Sequence, residues 1–509
     1  MSTKMTFTEK STVGNSTYFS ILWFVILTFL LSFSIIYFDY LIYNLPKIAN
    51  ISILNINNNN NNNNIPNINF PSNVINKTAE NKASVNSDDN ECAGKYIYIQ
   101  DLPRQFNDDI VHNCTALNQW VNVCKTVTNF GLGPRLNGSG WYATDQFTLE
   151  IIFYNRMKKY RCLTDDSSKA NAVFVPFYAG LDVGRYLWNG NVKIRDAKSN
   201  ELVKFLREKP EWKRLYGRDH FMVAGRISWD FMRVSDRKNP GWGNRLFLLP
   251  EVQNMTSLSI ESSPWSKTDF AIPYPTYFHP STDKQIDDWQ KQMRKQIRPF
   301  FYSFAGAPRP NQKDSIRNEI INQCIESRCN CCKLMNCDAP SENCREATNV
   351  INLFRKSVFC LQPPGDSYTR RSAFDSILAG CIPVFFHPGS AYVQYLWHLP
   401  KNYTKYSVFI PIEEVKKGNF SIEKKLLSIP KEEIRVIREE VIKLIPRVVY
   451  AHPNSRLVKF EDAFDLSLKG VLNRVSRIKR VIKEVISNSS TYESFDEVDH
   501  QWDAYFGRT

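Results

Sequence analysis

The sequence predicts an α/β protein of two halves with parallel sheets, carried behind an N-terminal membrane anchor. Three observations predict it. Short, nearly continuous apolar runs alternate with helical patterns from about residue 95 to 410, as parallel sheets covered on both faces require. A polar helical pattern at 283–296 divides that alternation into two sets, with the boundary near 280–298. Tyr18 to Phe38 is a stretch of 21 residues without a charge. As a helix it spans about 31 Å, enough for the hydrocarbon core of a bilayer.

The elements follow in order. Residues 1–17 read as a cytosolic tail, because Lys4 and Lys10 face only Glu9. Residues 18–38 read as a permanent anchor. A cleaved signal would be shorter and would end in small residues where this stretch has aromatics. Residues 39–94 read as a disordered stem. Asn57 to Asn64 is an unbroken run of eight Asn, and such a tract buries too little apolar surface to offset chain entropy. An N-terminal α/β domain is expected over 95–290. Its strands are expected at 95–100, 172–176, 220–225, 245–249 and 269–272, with helices at 144–160 and 200–207. A C-terminal α/β domain is expected over 291–430. Its strands are expected at 299–304, 358–361, 382–386 and 407–410, with helices at 315–324, 369–379 and 391–397. Residues 431–509 form a helical C-terminal segment; its lack of strands predicts packing across both halves.

The apolar fraction of 43% and charged fraction of 23% exclude a wholly disordered chain. The formal net charge is +14, but the basic residues are dispersed and no zinc-finger or RRM signature occurs. No nucleic-acid partner is expected; an anionic small ligand, a membrane surface or simple solubility accounts for the charge. The 12 Cys suit an oxidising compartment. Cys92, Cys114, Cys124 and Cys162 lie early. Cys324, Cys329, Cys331, Cys332, Cys337 and Cys344 read as a disulfide-stapled excursion rather than a zinc site, since no His lies among them. Cys360 and Cys381, on predicted strands, read as buried thiols. Sequons at Asn76, Asn113, Asn137, Asn254, Asn402, Asn419 and Asn488 agree with a lumenal body.

The segment 358–396 carries the most chemistry. An apolar strand ends at Pro363-Pro364-Gly365. Asp366, Ser367 and Thr369 are N-cap types, so a helix is expected to start there and to end at Gly380. Gly365 permits close backbone approach, and a helix N-terminus offers free N–H groups to an anion. Arg370 and Arg371 stand in the first turn, where the helix dipole disfavours cations. A bound diphosphate would supply the missing anion. Asp375, four residues after Arg371, forms either a surface ion pair or a hold on ribose hydroxyls. His387, after a strand end, is a structural histidine or lies near the base or sugar.

That segment, with Gly140-Trp141-Tyr142-Ala143-Thr144-Asp145-Gln146-Phe147, Asn155-Arg156-Met157, Asp269-Phe270-Ala271-Ile272-Pro273-Tyr274-Pro275, Tyr277-Phe278-His279-Pro280, Ser303-Phe304-Ala305-Gly306-Ala307-Pro308-Arg309-Pro310-Asn311 and His398-Leu399-Pro400, resembles the exostosin-type family of plant glycosyltransferases. The similarity is greatest to its xyloglucan galactosyltransferase branch and covers about 95–450. The resemblance implies a single-pass type II Golgi membrane protein anchored through 18–38, with its catalytic body in the lumen. It implies two Rossmann-like domains facing across a cleft, the GT-B type, and inverting transfer from a UDP-sugar, UDP-galactose first, to xylosyl side chains of xyloglucan. Homo- or hetero-complexes with other transferases fit this setting.

Gly365, Ser367, Arg370, Arg371, Asp375 and Arg309 are then the donor-binding candidates. Asp145, Glu261 and His279, in the first half, are the candidate catalytic bases. No D-x-D triplet occurs in the chain, so neither a metal nor another cofactor is expected; Arg side chains would carry the leaving diphosphate. The alternatives are another donor, such as UDP-galacturonic acid or UDP-arabinose, and a non-catalytic polysaccharide-binding partner in a transferase complex.

Overall fold

The computed structural model describes residues 91–118, 122–187, 191–235, 241–263, 266–312, 315–327, 331–338, 344 and 346–488. The expected cytosolic tail and anchor, the stem as far as residue 90, and the tail beyond 488 lie outside the described residues. The last expected stem residues, 91–94, are instead structured and tied to the first half by Cys92–Cys162, so the folded body begins earlier than expected.

Two parallel sheets of five strands organise the chain. The first holds β1 (Ile97–Ile99), β2 (Ala172–Val175), β3 (His220–Ile227), β4 (Thr256–Glu261) and β5 (Asp269–Ala271) in the order β1-β2-β3-β4-β5. The second holds β6 (Phe300–Gly306), β7 (Cys332–Asn336), β8 (Ser357–Gln362), β9 (Ile382–Phe385) and β10 (Val408–Phe409) in the order β10-β9-β8-β6-β7. Val173, Phe174 and Val175 are buried on successive, oppositely pointing positions, as expected of a strand covered on both faces.

The principal helices are α1 (Leu149–Met157), α2 (Ala179–Gly184), α3 (Val192–Glu208), α4 (Asp283–Lys295), α5 (Arg317–Ile325), α6 (Ala347–Arg355), α7 (Arg371–Leu378), α8 (Lys431–Lys443) and α9 (Ala463–Asn488). α7 ends as the sequence predicts: Gly380 takes φ +62° and its N–H returns to the Ile377 carbonyl. The C-terminal helices serve both sheets. α8 packs on α4 and β9, whereas α9 reaches β2, and its Lys479 Nζ bonds the Asn171 carbonyl at 2.9 Å. One apolar cluster runs through Phe174, Leu258 and Phe270 of the first sheet into Phe359, Phe374 and Phe385 of the second half.

Several elements differ from the sequence reading. The expected strand at 245–249 is a single 3-10 turn, Leu246–Leu248, closed by Pro250. The expected helix at 391–397 is a run of turns following the 3-10 segment Pro388–Ser390. A short apolar run does not distinguish these states by itself. β4 went unread because Ser257 and Ser259 interrupt its apolar pattern. Both serines are buried, and Ser259 Oγ is satisfied by Asp269 Oδ1 at 2.8 Å. β7 went unread because it lies among the cysteines. Cys324 of α5 is bonded to Cys332 at its start, and Cys337 just beyond its end to Cys344. Cys92–Cys162 and Cys114–Cys124 staple the first half. Cys360 and Cys381 are not thiols but a disulfide joining β8 to the start of β9, with Cα atoms 5.9 Å apart.

Candidate active site

The order of the second sheet has a consequence for ligands. From β6 the chain moves outward to β7, then returns to place β8 on the other side of β6. Adjacent connections leaving in opposite directions open a crevice beyond the C-terminal ends of β6 and β8. The first sheet runs in sequence order and has no such reversal among the described residues.

Three arginines converge on that crevice. Arg309 follows β6, and its Nη2 lies 3.3 Å from Asp366 Oδ2. Arg317 opens α5 and is buried; its Nε donates to the Pro364 carbonyl at 3.1 Å. Arg370 stands at the N-cap of α7 with its guanidinium against Gly365. A Cβ built on Gly365 would lie 1.1 Å from Arg370 Nη2, so only glycine fits beneath this side chain. Burial lowers the pKa of Arg317 to about 10, with Arg370 and Arg309 adding to the shift. Burial likewise lowers that of Arg370. Three guanidiniums held together, faced among the described residues by the carboxylates of Asp366 and Glu261, leave an excess of positive charge that calls for an anion. Sequence reasoning missed Arg317, although an Arg in the first turn of a helix is the signal that marked Arg370.

The C-terminal end of β4 meets this crevice from the first half. Glu261 is buried, and its Oε2 accepts from Thr369 N at 2.7 Å and Thr369 Oγ1 at 2.6 Å. Ser367 also bonds the carboxylate, and burial raises its pKa against these hydrogen bonds. Tyr274 Oη lies 3.0 Å from Thr369 Oγ1, and Ser262 N donates to Gln394 Oε1 at 2.8 Å. Ser367 and Thr369 therefore do not cap α7, whose N-cap has no side-chain bond. They are drawn to Glu261 instead.

Adjacent in sequence, Arg370 and Arg371 go to different places. Arg371 Nη1 donates to the Thr144 carbonyl at 2.6 Å, and its guanidinium covers the Tyr277 ring at 3.6 Å. Its Nε lies 3.6 Å from Asp375 Oδ2. Asp375 is only 3% exposed, and burial raises its pKa to about 6 against the pull of Arg371. Nε and Nη2 of Arg371 and Oδ1 of Asp375 are buried without a hydrogen-bond partner. The pair thus lies at the junction of the halves rather than on the arginine triad.

Asp145 follows the residue that Arg371 grips. It is half-buried, and its Oδ1 accepts from Phe147 N at 2.8 Å. The helix expected from 144 starts only at Leu149, so Asp145 heads a separate turn rather than the helix. His279 is fully buried, with Nδ1 2.7 Å from the Tyr450 carbonyl and Nε2 2.8 Å from Thr144 Oγ1. Burial lowers its pKa to about 4, so it is neutral with both nitrogens engaged. His387 caps Gly389 through Nδ1 and stacks on Tyr368, with centroids 4.5 Å apart, at the rim of the β8–α7 turn.

Near Asp145, the buried Glu150 of α1 accepts from the backbone N–H groups of Gly180, Leu181 and Gly225. Burial raises its pKa to about 7 despite those donors. The stability tied to its protonation is complete below the unfolded value of 4.5 and is lost as pH rises through about 7. Glu150→Gln is expected to flatten the fall in unfolding free energy between about pH 4.5 and 7, by on the order of 1–3 kcal/mol, read from denaturant titrations at each pH. Parallel pH profiles of variant and wild type would count against this assignment.

Comparison with known proteins bears on the family of the chain. The chain is 51% identical over 452 residues to "Xyloglucan galactosyltransferase MUR3" of Arabidopsis thaliana, covering 85% of this chain and 72% of that protein. It is 49% identical over 416 residues to "Probable xyloglucan galactosyltransferase GT12" of the same plant, covering 79% and 81%. It is 41% identical over 390 residues to "Xyloglucan-specific galacturonosyltransferase 1", also of Arabidopsis thaliana, covering 76% and 58%. The model of the Exostosin GT47 domain matches residues 91–426, both sheets included, and the chain belongs to that family.

Proposed function

We propose that this protein transfers galactose from UDP-galactose to xylosyl side chains of xyloglucan, with inversion. The observation that carries the reading is the triad Arg309, Arg317 and Arg370 at the switch point of the second sheet. Its relatives named as xyloglucan galactosyltransferases supply the donor and acceptor. The diphosphate sits against the triad and the Gly365–Arg370 turn, with the nucleoside toward the Tyr368–His387 stack. Asp145 takes the acceptor hydroxyl proton as that oxygen attacks the sugar C1. The bond from C1 to the diphosphate oxygen breaks on the opposite face, and its electrons leave with UDP. Arginine charge stabilises the leaving phosphate. Asp145 is preferred as base because Glu261 is committed to Thr369 and His279 is sealed in the core.

The test is incubation of purified protein with a panel of UDP-sugars and xyloglucan oligosaccharides. Galactose transfer is expected, and it is expected to persist in EDTA. Activity restored only by Mn²⁺ would move the leaving-group chemistry from the arginines to a cation. Preference for UDP-galacturonic acid would favour the second reading, to which the similarity to a galacturonosyltransferase points. No transfer from any donor would leave a polysaccharide-binding partner.

The same proposal places the body in the Golgi lumen behind an anchor at 18–38. Five disulfides among the described residues support an oxidising compartment. The body is expected to resist protease in sealed microsomes; digestion without detergent would reverse the topology.

A further inference from the structure

A second cavity lies beside the proposed reaction centre. Its volume is about 280 Å³, and its walls include Trp141, Tyr277, Trp289, Asn352 and Arg355. Both halves build it. Trp141 stands on a hairpin of the first half, where Arg135 pairs with Tyr142 and Trp141 with Phe278. Trp289 belongs to α4, and Asn352 and Arg355 to α6.

The rings are fixed by packing. Trp141 meets Trp289 at 4.8 Å and Phe278 at 5.2 Å between centroids. Trp289 Nε1 donates to the Leu378 carbonyl at 2.8 Å. Arg355 lies over the Trp289 ring at 5.2 Å; its Nη2 donates to Gln296 Oε1 at 3.1 Å, and its Nε is buried without a hydrogen-bond partner. Asn352 and Thr348 are exposed at the mouth.

Rigid aromatic walls with a few amide and guanidinium donors suit a ligand that has an apolar C–H face and a polar hydroxyl edge. That description fits a neutral pyranose. A phosphate or uronate fits less well, because Arg355 is the only cation among the described lining residues. A chain of contacts also links the cavity to the proposed reaction centre through Tyr277. That ring lines the cavity and carries Arg371, which holds Thr144, the residue before Asp145.

We propose that this cavity is a saccharide subsite. It holds a sugar of the acceptor chain away from the reacting hydroxyl and so sets the register of the polysaccharide. The proposal rests on the transferase reading for the identity of the chain, but its test does not need turnover.

The full chain in detergent is titrated by calorimetry with a xyloglucan heptasaccharide and, separately, with UDP. N-glycans are removed enzymatically beforehand, because Asn137-Gly138-Ser139 forms a sequon at the rim. Saturable heptasaccharide binding is expected. Arg355→Ala and Asn352→Ala are each expected to weaken it by about 5–20-fold. UDP affinity should be unchanged in both, the exposed Asn352→Ala should also keep its thermal midpoint, and Arg355→Lys should fall between variant and wild type. No saturable binding by wild type, or unchanged affinity in both alanine variants, would overturn the subsite. Transfer assays are read apart from these titrations, so an absence of turnover counts against the transferase reading alone.

Discussion

Asp145→Asn is expected to lower kcat by about 10²–10⁴-fold while UDP binds as in wild type. The reason is positional. Asp145 lies in the first half, one residue after the Thr144 carbonyl that accepts Arg371 Nη1 at 2.6 Å. One carboxylate oxygen is held by Phe147 N, which fixes the group without burying it fully. The amide of Asn preserves that bond through its carbonyl oxygen and cannot take a proton at the pH of the reaction. Fold and donor binding should therefore survive the change, and chemistry should not. Initial rates beside UDP calorimetry separate the two. Near-normal turnover would transfer the base role to Glu261, whose carboxylate would then have to release Thr369 on substrate binding.

Arg370→Ala is expected to weaken UDP binding by about 30–150-fold, or roughly 2–3 kcal/mol, the loss of a charged hydrogen bond to a phosphate left short of a partner. Arg371→Ala is the contrast, although it is the neighbouring residue. It leaves the triad intact, so UDP affinity should change by less than about threefold. It also removes the link to Thr144 and leaves the Asp375 carboxyl, whose pKa is already raised to about 6, without its cation. Turnover should fall because the Asp145 turn loses its tether, and Asp375→Asn should reproduce part of that effect. Equal losses of UDP affinity in both arginine variants would show that the two side chains share the phosphate and that the junction reshapes on binding.

Most strands were legible in the sequence because a strand buried on both faces is a local fact: β2, β8 and β9 are short runs of apolar residues between turn residues. β4 and β7 were not, for opposite reasons. β4 buries Ser257 and Ser259, and Ser259 Oγ is satisfied by Asp269 of the neighbouring strand and by the Glu261 carbonyl, partners that the local pattern does not announce. β7 is an edge strand held by a disulfide to α5, and cysteine spacing does not reveal pairing.

The candidate site divides in the same way. Gly365, Arg370 and Arg371 could be read as a strand–turn–helix anion motif, because close approach, helix start and charge all lie within seven residues. The sequence by itself therefore determined the kind of half, and the turn within it, to which donor binding is proposed. What only the tertiary structure decided is where each side chain goes. Arg370 is the extended N-cap residue (φ −146°, ψ 142°) and Arg371 the first helical one, so their side chains diverge: Arg370 joins Arg309 and Arg317 while Arg371 crosses to Thr144 and Tyr277. Glu261 and Thr369 meet across 108 residues of chain, and no local pattern encodes that contact. It exists because the C-terminal ends of two parallel sheets are brought together, and a buried carboxylate must find donors wherever the fold supplies them.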